Sequence, residues 1–298
     1  FKKMRFSYGK SRKYWKNSGI LKSYSGLKYT EIVKNCAQGQ KEKEIEYTLK
    51  GYNALKSATA AQPKFTRAWL FLGTFTNVLA AKEQDSQKQK QLLSEALTYL
   101  EKSRALSSKR QEVLLEIEKN YLVAKNYEAM KKTAYDCIVI DQNNGMCYWY
   151  LGVGEVFLGD IANGKEHIKE AEEKFSGVFL YLQLGVAYIS QKNYKDASEA
   201  YELVVKYEPN NTSYHATLAF LYKQIGKYDE ARIEAIKVFK LQPENKEVLV
   251  FLQQLLGLDS NDPALHSSLA YIYRQTGETE KARQEFLIVK SIYEQAVA

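Results

Sequence analysis

Residues 181–209 read YLQLGVAYISQKNYKDASEAYELVVKYEP, and residues 215–243 read HATLAFLYKQIGKYDEARIEAIKVFKLQP. Set one above the other, Tyr181, Leu184, Gly185, Tyr188, Ala197, Tyr201 and Pro209 fall over His215, Leu218, Ala219, Tyr222, Ala231, Ala235 and Pro243, each pair 34 residues apart. A further copy runs through His266, Leu269, Ala270, Tyr273, Ala282 and Phe286. Each position has a packing reason. The large residue and the Leu on a first helix pack into its partner, and a small Gly or Ala lets two helices approach closely. Pro follows the second helix, where the chain must leave the helical path. A fixed period of this length is the signature of a solenoid, in which each unit buries its apolar face on its neighbours.

The pattern resembles the tetratricopeptide repeat family, whose units read Trp-x-x-Leu-Gly-x-x-Tyr, then Ala-x-x-x-Phe, then Pro. The resemblance implies an all-α fold, an α-solenoid built as a right-handed superhelix of helix-turn-helix pairs. The register extends upstream. Tyr148, Leu151, Gly152, Gly159 and Ala171 make a copy from Gly145, and Leu114, Ile117, Tyr121, Tyr127, Ala134 and Cys137 one from Gln111. Trp69-Leu70-Phe71-Leu72-Gly73 repeats the opening of the pattern verbatim. Its second helix comes late, through Leu92, Ala96, Leu100 and Ser103, which predicts a longer hairpin protruding around Lys82–Gln87. Gly51, Leu55, Ala58 and Pro63 fit only the second helix of a copy. The expected organisation is a leader over 1–30, a degenerate repeat or cap over 31–65 and five repeats over 66–245. An unpaired helix over 246–262 and a last repeat over 263–298 complete it. The lone helix, carrying Val248, Leu249, Phe251, Leu252, Leu255 and Leu256, reads as a structural spacer. All four prolines, Pro63, Pro209, Pro243 and Pro263, then lie at helix junctions.

Composition agrees with an ordinary globular chain: 45% hydrophobic and 26% charged residues leave neither a disordered nor a collagenous reading open. No apolar run approaches the ~18 residues of a membrane span. The net charge of +8 is unevenly placed, because residues 1–30 hold nine basic residues and no acidic one, while the rest is close to neutral. Lys2, Lys3, Arg5, Arg12, Lys13 and Lys16 are interleaved there with Phe1, Phe6, Tyr8, Tyr14 and Trp15. Basic and aromatic side chains in alternation can hold nucleic acid by phosphate contact and stacking, or sit on an anionic membrane surface. A solvated arm with no ligand is the competing reading. The chain opens on Phe1 rather than Met, which reads as a fragment or as a chain whose start was removed. Cys36, Cys137 and Cys147 form no C-x-x-C pair, so the sequence predicts buried thiols rather than a disulfide or zinc framework. That favours a reducing compartment, cytoplasmic or membrane-associated.

No catalytic constellation emerges. Gly159 to Lys165 has the spacing of a phosphate-binding loop, but Glu166 stands where Ser or Thr would hold magnesium, and no strand precedes it. Gly152-Val-Gly154 already has a helix-packing role. His215 and His266 share one repeat position and read as packed imidazoles, His167 stands alone, and no cofactor or metal is expected. The Asn210-Asn211-Thr212-Ser213 run holds glycosylation acceptors, which matter only in a secretory route.

Function is therefore expected on the channel that first helices line in such solenoids, where extended peptides or partner helices bind. The resemblance places channel-facing residues at the second, fifth, ninth and twelfth repeat positions. Met146, Trp149, Val153, Phe179, Leu182, Val186, Phe220 and Tyr271 make these apolar and aromatic, and an exposed strip of that kind fits a partner's apolar segment. The Lys and Asn set with which some tetratricopeptide domains clamp acidic chaperone tails is missing. The expected function is a non-catalytic scaffold for protein–protein contacts, with oligomerisation left open. Two alternatives remain. Residues 71–77, 106–111 and 214–223 resemble the soluble tails of bacterial O-antigen ligase/polymerase-type membrane proteins, which implies a regulatory tail whose leader lies beside a membrane segment. The other is a nucleic-acid-associated repeat protein that uses the leader.

Overall fold

The computed structural model describes residues 41–174 and 181–297. Among the described residues there are fourteen helices and no strand. In chain order they are α1 (Lys41–Ala61), α2 (Thr66–Lys82), α3 (Ser86–Leu106), α4 (Gln111–Val123), α5 (Tyr127–Ile140), α6 (Gly145–Phe157) and α7 (Ile161–Lys174). There follow α8 (Tyr181–Ser190), α9 (Tyr194–Tyr207), α10 (Thr212–Gln224), α11 (Tyr228–Leu241), α12 (Glu247–Leu256), α13 (Pro263–Gln275) and α14 (Thr279–Val297). The fold is an all-α solenoid of helix pairs. None of these helices is long and apolar enough to cross a membrane. Two compact units divide the described residues: 41–158 with 166–174, and 159–165 with 181–297.

Turn chemistry sets the beat. Lys125, Gly159, Lys192, Gly226 and Gly277 all have positive φ, between 55° and 91°, and each occupies the fifteenth position of its repeat. Where first helices end, the Tyr121, Tyr188, Tyr222 and Tyr273 carbonyls accept from N–H groups five residues on. This wider ring closes a helix whose next residue turns left-handed. Asn or Asp side chains then start helices by accepting from backbone N–H groups of the first turn: Asp85, Asn126, Asn144, Asn193, Asn211 and Asp262. Pro263 sits in the first turn of α13, where no N–H is missed.

In the first unit, α2 and α3 form the longest hairpin, with 17 and 21 residues, turning at Glu83–Asp85. Leu70, Leu100, Val113, Leu114 and Ile117 make a core cluster that also includes Cys137 and Cys147. The buried Asn120 amide donates to Asn77 Oδ1 at 2.7 Å and to the Leu93 carbonyl at 2.9 Å, pinning α4 to α2 and α3. Of the degenerate N-terminal copy, α1 is described, with Leu55 buried; the stretch expected to hold its first helix lies outside the described residues.

One expectation about the cysteines is overturned. Cys137 and Cys147 are joined by a disulfide with Cα atoms 5.8 Å apart. The last turn of α5 and the first turn of α6 meet across a tight junction, a proximity that a search for C-x-x-C spacing cannot detect.

In the second unit, two buried imidazoles do the same job. His215 Nδ1 lies 2.5 Å from Glu234 Oε2 and its Nε2 2.9 Å from the Pro209 carbonyl. His266 repeats this with Glu285 at 2.5 Å and the Ser260 carbonyl at 3.0 Å. Each ring ties the turn before its own helix to the helix after it. No cluster of metal-ligating residues forms among the described residues.

The lone helix α12 is more than a spacer. Val250 and Gln254 follow Ala216 and Phe220 by 34 residues, so α12 continues the first-helix register. Lys223 on α10 donates to Gln254 Oε1 at 2.7 Å, which joins it to that wall. Toward α13, however, α12 behaves as a second helix. Gln253 reaches the Tyr273 hydroxyl across 20 residues, the separation at which Tyr222 on α10 reaches Glu202 on α9. One helix thus serves both neighbours, and the last hairpin follows half a repeat out of step.

Candidate functional site

Helix α8 carries no charged residue, and α10 carries one, Lys223. The faces these helices leave open are therefore nearly uncharged, with apolar residues at their middle. In the second unit Val186 on α8 is 45% exposed, Phe220 on α10 42% and Val250 on α12 54%. Leu182 is half-buried one turn before Val186, and Ala216 is exposed one turn before Phe220. Tyr194 of α9 meets the Phe220 ring edge-on, with centroids 6.1 Å apart, and fixes its orientation. Lys223 borders the strip, with its ammonium 5.6 Å from the Phe251 ring centroid.

The remaining expected groove residues behave differently. Tyr271, 37% exposed, packs its ring against Phe239 of α11 at 6.0 Å, because the half-repeat step turns α13 against a second helix. Phe179 and the leader residues Lys2, Lys3, Arg5, Arg12, Lys13 and Lys16 lie outside the described residues. In the first unit, Met146 is half-buried, Trp149 is only 3% exposed and Val153 is fully buried. The reason lies in the composition of α6, whose sequence GMCYWYLGVGEVF is apolar or aromatic around its circumference apart from Glu155; such a helix is stable only when covered nearly all round. Trp149 and Val153 are core residues, not an open wall. Neighbouring first helices of that unit offer no apolar strip either: Leu70 is buried, and Lys119 is paired with Glu116 at 2.6 Å.

The buried carboxyl groups of the first unit are of two kinds. Glu155 is held by His167 Nδ1 at 2.6 Å and by Lys131 at 3.6 Å. Glu118 has no hydrogen-bond partner on either oxygen, and burial drives its pKa well above the carboxylate range despite the opposing pull of Lys119. In the run from Gly159 that has loop-like spacing, Lys165 is paired with Asp196 at 2.5 Å.

Sequence reasoning missed Val250 and Gln254. The signal was present, since Gln254 stands one full period after Phe220, which was already assigned to the wall, and Val250 one turn before it.

Known proteins bear on this architecture. The tetratricopeptide repeat family matches residues 178–211 and again residues 212–245. The BBSome complex member BBS4 of Bos taurus is 20% identical over 206 residues, covering 69% of this chain but only 38% of that protein. Among solved structures, a tetratricopeptide repeat protein from Parabacteroides merdae ATCC 43184 is 17% identical and covers 90% of this chain and 94% of its own, with a TM-score of 0.48. A monomeric IFIT1 mutant with m7Gppp-AAAA is 12% identical, covers 83% of this chain and 68% of its own, and has a TM-score of 0.51. At 12% identity the likeness to the IFIT1 structure is one of fold alone. The likeness of three short stretches to O-antigen ligase tails finds no support in these names. Matched repeats over residues 178–245, left-handed turns in step and, among the described residues, paired helices without a strand show that this chain carries tetratricopeptide repeats.

Proposed function

We propose that the chain is a non-catalytic scaffold that binds a protein partner along the first-helix strip of its second unit. The observation that carries this reading is the exposure of Val186, Phe220 and Val250 on three helices that share one repeat register. Apolar side chains exposed on successive helices are costly in water and fit the anchors of a peptide or the face of a helix. Scaffolding is what the repeat family commonly does, and the bovine relative is named as a member of a complex. A photo-crosslinking residue placed at Phe220 should trap a discrete protein in the cells that make this chain. The same residue at Lys206, exposed on a second helix, should not. Equal crosslinking at both places, or none at Phe220, refutes the proposal.

A further inference from the structure

Elsewhere in the array the repeat junction closes without covalent help. The positions of Cys137 and Cys147 are held at the next-but-two junction by Val238 and Val248, both buried. An apolar pair therefore suffices there. The Cys137–Cys147 bond adds something to the fold that the repeat itself does not require. Both sulfurs lie in residues with no exposed surface, inside the cluster of Leu70, Leu100, Val113, Leu114 and Ile117. Neither an oxidant nor a reductant reaches them once α5 and α6 have packed, so the bond must form while the hairpin is still open. A chain made among reducing thiols would pack with both cysteines still protonated.

We infer that this protein folds in an oxidising compartment, where an external disulfide, such as that of a dithiol oxidoreductase, closes the Cys137–Cys147 clip before burial. One cysteine thiolate attacks the acceptor's disulfide, forming a mixed disulfide and releasing one acceptor thiolate. The second cysteine thiolate then displaces the remaining acceptor sulfur. The two cysteines lose two protons and two electrons, and the acceptor leaves as its dithiol. Sealed in the core, the bond is a permanent clip and not a switch.

Trypsin makes the test direct, because no Lys or Arg lies between Lys132 and Lys165 and both cysteines fall in one peptide, 133–165. Cells that produce the protein are lysed directly into denaturant with iodoacetamide, and the digest is weighed. The inference expects peptide 133–165 without carbamidomethyl groups and lighter by two hydrogens than the dithiol. Two carbamidomethyl groups on that peptide overturn it. A second measurement uses the purified full chain. Cutting a tie that closes so short a loop should raise the unfolding equilibrium constant roughly a hundredfold. An unfolding midpoint that does not move when reductant is present throughout the titration also overturns it.

Discussion

Gly73 and Gly154 both lie inside helices of the first unit, yet alanine should shift stability in opposite directions at the two sites. Replacing a helical glycine by alanine gains about 1 kcal/mol by removing backbone freedom from the unfolded chain. Against this stands the space for one methyl group. At Gly73, where α2 crosses α3, a Cβ would lie 2.5 Å from Leu100 Cγ, 2.7 Å from its Cδ2 and 3.2 Å from the Ala96 carbonyl. Leu100 has no exposed surface and its Cγ is a branch point, so it cannot swing aside; the helices must separate. Overpacking of this sort costs about 1–3 kcal/mol, more than the propensity gain. Gly73→Ala should therefore lose up to about 2 kcal/mol net. At Gly154 the nearest atom is the terminal methyl of Met130, 3.1 Å away, and the next is the Tyr127 carbonyl at 3.6 Å. A methionine end can rotate away, and Gly154→Ala should gain about 0.5 kcal/mol. Urea unfolding followed by tryptophan emission reads both variants in one unit, since Trp69 and Trp149 lie on α2 and α6. Stabilisation by both substitutions would mean that α2 and α3 do not cross at Gly73 as closely as described.

Other outcomes are expected. Trp149→Ala should cost about 3–5 kcal/mol, as a core truncation does, and calorimetry should show a loss at least as large as for Leu184→Ala. Lys125→Gly or Lys192→Gly should raise the melting midpoint by an amount equivalent to about 0.5–1 kcal/mol, because both lysines hold a left-handed φ that glycine adopts freely. Glu118 keeps its proton in the folded chain at pH values where the unfolded chain has lost it, so folding stability falls as pH rises from the usual carboxylate range toward its raised pKa. Glu118→Gln should accordingly match the wild type near pH ~4 and exceed it near pH ~8 in urea titrations; a difference that does not change with pH would exclude this role. Removal of residues 1–30 should abolish any binding to anionic vesicles or nucleic acid at low salt, and co-sedimentation of the intact and shortened chains tests it.

Much of the fold was legible because its period is enforced by residues that admit few substitutes. Gly185, Ala219 and Ala270 mark close helix contacts, and Pro209 and Pro243 mark junctions, so a 34-residue comparison finds them directly. The site was read less well, for a physical reason. Repeat position says which way a side chain points, but what stands in front of it depends on neighbours. Trp149 and Phe220 hold comparable channel positions, yet the first is covered and the second open. The extra apolarity of α6 was the available warning. The disulfide was illegible for another reason: its partners lie ten residues apart, across a turn whose tightness only the assembled junction reveals.

Helix α12 has a genetic corollary. Four residues separate the end of α9 from the start of α10, and residues 242–245 would likewise separate α11 from Pro263 if residues 246–262 were excised. The seventeen-codon deletion would restore an unbroken tandem, with Tyr271 falling one period after Phe220. α12 can thus be viewed as a removable cassette whose presence decides where the proposed binding wall stops.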